Sequence, residues 1–434
     1  PNGMLGASIV TALATDAGDG TCSPSTHTLL WTPCDPGECH IYFSQQRKAL
    51  ATAVGLARTL KRTLVLPPFE WYDGQAQLMA NAFRATADGR RPRFTAWSDL
   101  FDLTQLRQRV PLIELHELRA DAADSAAALR WDRAIYAKGT LVSANERKLA
   151  DVAAPPLTGV LAESGPCKPR SSAGLLMNLT SSADLGGGGP WAGELMGGAM
   201  SVQEARCGAL LLTTGGGLQL EKATAALASW FGDAPSAAIF SVGHYSHAKA
   251  WSSAEELDAT YTPPAASLEA EARRFVVEVL LVGSGSGGGG GSSGGSSSGG
   301  KFVAMHWRDG DYVPYKLGTS ASGVAERAKT ALAELGCASC AVFIMTNCRE
   351  KASLAELQSL LPTATIGYTP PADAPPGSTF GEEGPRLVIE QAIATLADAF
   401  VGSGRSAVTH FVEEARRHAA RHRAWQSDEA YRNR

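Results

Sequence analysis

The stretch FVAMHWRDGDY, residues 302–312, decides how the chain is read. Phe302 to Trp307 is a short apolar run of strand length, and it ends in Arg308 followed by the turn formers Asp309 and Gly310. Beyond it, strands and helices alternate. The pattern predicts helix Gly323 to Leu335, strand Ala341 to Thr346, helix Ser353 to Leu361, strand Thr365 to Tyr368, helix Arg386 to Asp398 and strand Ala399 to Val401. A Gly-rich turn and the helix Ser406 to Arg421 close the series. Such alternation implies a parallel sheet, whose ligand crevice lies beyond the C-terminal ends of its strands.

Upstream, the same logic applies to a shorter segment. Gln45 to Arg62 carries Leu50, Val54, Ala57 and Leu60 at helical spacing and feeds the strand Thr63 to Leu66, stopped by Pro67-Pro68. Leu29 to Thr32 is a preceding strand, which gives a β-loop-α-β opening. The region from Tyr72 to Tyr261 mixes weak helices with a Gly-rich stretch at Gly186 to Gly189, and its strand candidates are Ala209 to Thr213 and Ala238 to Val242. Leu268 to Val282 reads as a helix. Between it and Phe302 stands Gly283 to Gly300, a run of only Gly and Ser that cannot offset its chain entropy by burial, so it is read as a lengthened, disordered surface loop.

Length and composition frame these elements. The 434 residues, 44% hydrophobic and 19% charged, describe an ordinary globular chain of two or three domains. With 39 basic against 43 acidic residues the net charge is −4, so no global basic field draws in nucleic acid or an anionic membrane. No apolar run approaches the roughly 20 residues that span a bilayer. The start at Pro1 suggests a mature or cut form, and Met4 to Ala14 is read as a floppy terminus, with the tail of a signal peptide as the alternative. Eight cysteines weakly favour an oxidising compartment. Cys337-Ala-Ser-Cys340 has redox spacing but sits at a helix-to-strand junction, which favours a structural pair or buried thiols. The sequon Asn178-Leu179-Thr180 is compatible with secretion.

Two strand ends carry chemistry. Arg308, two residues after His306, offers a planar two-pronged donor suited to a diphosphate, or else a salt bridge that positions its loop. Asp309-Gly310-Asp311 has the form of a metal-holding DxD, but His306-x-Arg308 would put a cation beside that metal, so no metal is expected. The turn Gly402-Ser403-Gly404-Arg405 opens a helix whose N–H groups and dipole bind anions; Ser406 as N-cap is the bland reading, and both can hold together. The ligand expected opposite such an arginine is a nucleotide diphosphate.

Three blocks, in order along the chain, resemble the GDP-fucose protein O-fucosyltransferases and their plant-type relatives. They are Ser44-Gln45-Gln46-Arg47 with its helix and LVLPPFEW, His306-x-Arg308, and Ala397 to Gly402 through Ser406 to Phe411; Trp97 to Asp102 (WSDLFD) is a fourth patch. The resemblance implies an α/β, GT-B type fold of two Rossmann-like domains with parallel sheets facing a central cleft. After a flexible segment at 1–27, residues 28–262 would form the acceptor-side domain and 263–434 the sugar-nucleotide domain, with the Gly/Ser insert at 283–300. It implies metal-independent inverting transfer of fucose from GDP-fucose, as donor substrate and with no cofactor, to a Ser or Thr hydroxyl of a protein acceptor in the endoplasmic reticulum or Golgi lumen.

Residue by residue, it makes Arg308 the contact to the diphosphate and glycosidic oxygen and His306 an orienting and nucleotide-binding group. Ser406 and Thr409 would hold phosphate, Glu390 and Asp398 the base or ribose, and Ser44, Gln45, Arg47, Asp311 and Asn347 are further substrate-binding candidates. Glu38, in Pro36-Gly37-Glu38-Cys39, is the nearest acceptor base, with a solvated turn residue as its alternative. Departures from the family pattern are Tyr42 and Ser44 before the first Gln, Asn347 where an Asp is common, and Ala407 beside Ser406. Two other readings remain open: a relative using another donor, such as UDP-rhamnose toward a polysaccharide, and a catalytically silent nucleotide-binding homologue.

Overall fold

The computed structural model describes residues 27–32, 43–72, 92–120, 129–139, 200–210, 227–242, 261–281, 300–309, 319–375, 377–404 and 406–432. Residues 1–26, Glu38, the sequon at Asn178, the Gly-rich stretch 186–189, the Gly/Ser insert through 299, Asp311 and Arg405 lie outside the described residues. Described residues up to Thr262 form one compact unit and those from Pro263 onward another.

The first unit is built on strands β1 (Thr28–Thr32), β2 (Thr63–Leu66), β5 (Leu112–Glu114), β6 (Leu129–Gly139), β7 (Met200–Leu210) and β8 (Ser236–Val242). All pairings in this sheet are parallel, in the order β5-β2-β1-β8-β6-β7. Helix α1 (Phe43–Thr59) crosses from β1 to β2 and buries Leu50, Val54 and Ala57, the face read from the sequence. An antiparallel pair, β3 (Phe69–Tyr72) and β4 (Pro92–Thr95), precedes the short helices α2 (Trp97–Leu100) and α3 (Thr104–Arg107). Helix α4 (Leu115–Ala120) follows β5 directly. The apolar residues of the WSDLFD patch are core, and its polar ones are exposed: Trp97, Phe101 and Phe69 stack with ring centres 4.2 to 6.0 Å apart, and Trp97 Nε1 donates to Pro67 O at 2.8 Å.

The second unit begins with α5 (Ala266–Phe275), continued by a π-helical turn at Val276–Leu281. Strand β9 (Phe302–Trp307) follows, then α6 (Ala321–Glu334), β10 (Ala341–Thr346), α7 (Lys351–Leu360), β11 (Ala364–Ile366), α8 (Glu383–Leu396), β12 (Ala399–Val401) and α9 (Ala407–Arg432). Ser320 caps α6 by accepting from Gly323 N at 3.2 Å. Every residue of β9 is buried, as a strand covered on both faces requires. Val303, Met305 and Trp307 pack with Val324, Ala325 and Ala328 of α6, while Phe343 of β10 meets Phe275 of α5. Cys337 and Cys340 are joined as a disulfide at the turn between α6 and β10, and Cys348 is a buried free thiol that burial, with Asp309 beside it, pushes up to about 11.

The sheet of this unit has the order β11-β10-β9-β12, all parallel. In order of appearance that is 3-2-1-4, half of a doubly wound sheet, so the crossover reverses direction between β9 and β12. The crevice of such a sheet opens at that switch point. Most helices begin or end one to three residues from the sequence pattern, α9 runs to Arg432 rather than Arg421, and two strands differ for a local reason or in extent. β11 stops at Ile366 because Gly367 takes φ +71°, and β7 runs to Leu210 rather than starting at Ala209.

Candidate functional site

At the switch point the exits of β9 and β12 are bound together. Ser403 Oγ donates to His306 O at 2.5 Å and accepts from Arg308 N at 3.0 Å. Ser403 N donates to Thr409 Oγ1 at 2.9 Å, and the same hydroxyl lies 2.8 Å from His306 Nδ1. Arg327 of α6 donates to Gly402 O at 2.5 Å. On the other side, Asp309 N donates to Asn347 Oδ1 at 2.9 Å, which fixes the first turn after β9 to the exit of β10. His306, Ser403 and Thr409 are buried and Arg308 is half-buried.

At the start of α9 the backbone and the hydroxyl of Ser406 do different things. Its carbonyl accepts from His410 N at 3.1 Å, so its backbone stands at the cap position. Its hydroxyl, though, caps nothing. Ser406 is 5% exposed and its Oγ is buried with no hydrogen-bond partner. A buried hydroxyl left without a partner costs about 1 to 3 kcal/mol, a penalty that a ligand oxygen would remove. It sits where the first-turn N–H groups of a 26-residue helix are unsatisfied by the helix itself. Arg308 at the exit of β9, and the Gly-rich turn and helix N-terminus at the exit of β12, are groups of the kind that bind oxyanions.

The remaining expectations divide. Thr409 is a strut between His306 and Ser403, so its hydroxyl is engaged inside the protein rather than standing as a phosphate ligand. Asn347 likewise holds a loop. Asp398 has another task than base or ribose recognition: it clamps the entry of β9, accepting from Phe302 N at 2.9 Å and donating its own N–H to Phe302 O at 3.1 Å. That is the opposite end of the sheet from His306. Arg47 is buried within the first unit, where its Nη2 donates to Thr262 O at 2.6 Å and its guanidinium lies 4.6 Å from the Phe101 ring centre, a structural contact. Ser44 and Gln45 lie in α1, their side chains outside the described residues, as Glu38 and Asp311 are altogether. Ser403 and Arg327 were missed. Only the Gly residues flanking Ser403 hinted at its place.

Glu390 sits at the C-terminal edge of the sheet, beneath the turn after β11. Its Oε1 accepts from Tyr368 N at 2.9 Å and from Arg386 Nε at 3.1 Å. Burial pushes this carboxyl above the usual carboxylate range, and the Arg386 guanidinium offsets only part of the effect. The folded protein therefore holds a proton there at pH values where the unfolded chain has released it. The stabilisation is complete below the unfolded value and is lost as pH rises through the raised one. Glu390→Gln, which keeps an acceptor for Tyr368 N–H and does not titrate, is expected to gain on wild type as pH rises: the melting-temperature difference, variant minus wild type, should grow between pH 4 and pH 8. A difference that stays constant with pH would count against this.

One further cluster could be taken for a metal centre. Glu114, His116 and Glu117 bring donor atoms within 4.8 Å of one another. Both Glu114 oxygens accept from the first turn of α2 (Trp97 N at 2.7 Å, Ser98 N at 3.2 Å), and Glu117 accepts from Arg107 Nη2 at 2.8 Å and Glu114 N at 2.7 Å. The donors serve the backbone, and a guanidinium stands beside them.

Comparison with known proteins gives two results. The family model described as GDP-fucose protein O-fucosyltransferase matches residues 42–172. The fold is similar to that of POFUT1 in complex with GDP, with a TM-score of 0.53 at 15% identity over 91% of this chain and 97% of that one. POFUT1 in complex with GDP-fucose gives 0.51 at 16% identity, covering 90% and 94%. No curated protein sequence matches the chain.

Proposed function

We propose that the chain is a glycosyltransferase, similar over residues 42–172 to the GDP-fucose protein O-fucosyltransferases, and that it transfers fucose from GDP-fucose to a Ser or Thr hydroxyl of a protein acceptor. The observation that carries the donor side is the unpartnered, buried Ser406 hydroxyl at the start of α9, beside the exits of β9 and β12. The diphosphate lies there, with Ser406 and the first-turn N–H groups on its oxygens and Arg308 beside the bridging oxygen. His306, held through Nδ1 by Thr409, orients the nucleotide.

The chemistry follows from where charge develops. The acceptor oxygen attacks C1 of fucose from the face opposite the phosphate, its proton goes to a base, and the bond from C1 to the β-phosphate oxygen breaks. Negative charge then grows on that phosphate. A guanidinium and a helix N-terminus fixed in advance stabilise it more than they stabilise the ground state, so the route needs no metal. The anchored arginine carries the leaving-group side, and Glu38 is the proposed base. The disulfide Cys337–Cys340 supports a place in the oxidising lumen of the secretory pathway.

Release of GDP from GDP-fucose in the presence of EDTA tests the reading, alongside calorimetric titration with GDP and UDP. EDTA is expected to change the rate by less than about twofold, and GDP to bind at least about tenfold more tightly than UDP, a difference near 1.4 kcal/mol. Activity lost in EDTA and restored by Mg²⁺ or Mn²⁺ would overturn the metal-free route. A preference for UDP would move the donor to another sugar nucleotide.

A further inference from the structure

Strands β9 and β12 pair in the register Val303 with Ala399, Ala304 with Phe400 and Met305 with Val401. Carried two residues further, that register would set Ser403 opposite Trp307. In a parallel ladder the residue opposite Trp307 donates its N–H to the carbonyl of His306 and accepts, on its own carbonyl, the N–H of Arg308. Both bonds are present, but the Ser403 side chain makes them. Its Oγ donates to His306 O at 2.5 Å and accepts from Arg308 N at 3.0 Å, while the Ser403 N–H has turned away to Thr409 Oγ1 at 2.9 Å.

One hydroxyl thus replaces the two main-chain groups of a strand residue, and the chain can leave β12 toward α9 without releasing the end of β9. Its burial, at 8% exposed, keeps water from substituting for either bond. The carbonyl one residue back, Gly402 O, is tied to Arg327 of α6 at 2.5 Å, so the turn presenting the hydroxyl is itself anchored.

We propose that Ser403 is a positioning residue for Arg308: its hydroxyl extends the β9–β12 ladder by one rung, and that rung sets the backbone from which the arginine meets the diphosphate. The proposal rests on the diphosphate reading given above. It gives a serine that touches no reacting atom an effect on the reaction, exerted wholly through Arg308.

A double-mutant cycle on Ser403→Ala and Arg308→Ala, read by calorimetric binding of pyrophosphate and by fucose release from GDP-fucose, tests it. Ser403→Ala is expected to weaken pyrophosphate binding about tenfold in the wild-type background and by less than about twofold when Arg308 is already Ala, because contacting residues in one network are not additive. Ser403→Thr, which keeps the hydroxyl, should stay within about threefold of wild type. An equal loss from Ser403→Ala in both backgrounds, or none in either, overturns the positioning role. Should the Ala variant fail to fold, Ser403→Cys, of similar shape but with a weak donor, runs the same cycle with the same expectation. Wild type that binds pyrophosphate yet releases no fucose ends the GDP-fucose reading and leaves the cycle to decide on Ser403. Wild type that binds no pyrophosphate ends both.

Discussion

Arg308→Ala is expected to lower fucose release from GDP-fucose on the order of 10³-fold while the protein remains folded. The magnitude is that of removing one fixed donor from a developing oxyanion. Folding should survive because the main chain of residue 308, through its N–H on Ser403 Oγ, ties the strand exit, and alanine keeps that N–H. GDP binding should weaken far less, by about tenfold, since the arginine acts most strongly once charge has moved to the leaving phosphate. Arg308→Lys restores charge without the planar fork and should regain no more than about a tenth of the wild-type rate. Initial-rate measurements, with melting curves on the same samples, check all of this. An alanine variant turning over above a tenth of wild type would remove Arg308 from the chemistry.

Gly402→Ala is expected to be the most damaging single methyl in the second unit. A Cβ at this glycine would lie 2.1 Å from Thr409 Cγ2 and 3.1 Å from its Oγ1. No rotamer change at residue 402 avoids that, because the Cβ position is set by the backbone. Thr409 must rotate about χ1, or the turn or the start of α9 must move, and each displaces the Thr409 hydroxyl from Ser403 N and His306 Nδ1. Overpacking of this kind costs about 2 kcal/mol, which lowers the melting temperature by roughly 4 to 8 °C in a unit of this size, and GDP affinity should fall at least about 100-fold. Thr409→Ser in the same chain removes Cγ2 and keeps the hydroxyl, so it should recover much of both losses. The cause is the clash of the new Cβ with Thr409 Cγ2. A Gly402→Ala variant that binds GDP normally would refute it, and so would failure of Thr409→Ser to help.

The second unit was legible because its strands are short apolar runs separated by amphipathic helices, and a parallel sheet buried on both faces leaves little room for other sequences. β9, β10 and β12 came out with the boundaries the structure shows. In the first unit β6 was hidden: LRWDRAIYAKG interleaves charges with apolar residues, and its partners β7 and β8 lie far away in sequence, so no local pattern marks it. Three-residue β5 offered too few positions for any period to appear. At the site, Arg308 and His306 were visible because a charged residue closing an apolar run is rare. Ser403 was not, since a serine between glycines is what any loop contains, and its meaning depends on a register shared with residues about 100 positions earlier. Asp398 misled for a related reason: an acid beside β12 is equally consistent with either end of a sheet, and only the pairing with Phe302 tells which.

The rung that a side chain supplies also divides the amides of β9 into two kinds. Those within the strand are covered on both faces and paired to neighbours on both sides, so their exchange with deuterated solvent requires opening of the whole unit. The Arg308 amide is bonded to a side-chain hydroxyl, and a rotation of Ser403 breaks that bond. Its exchange rate is therefore a clock for the turn, readable without turnover or acceptor, and it should slow when a diphosphate closes over the strand end.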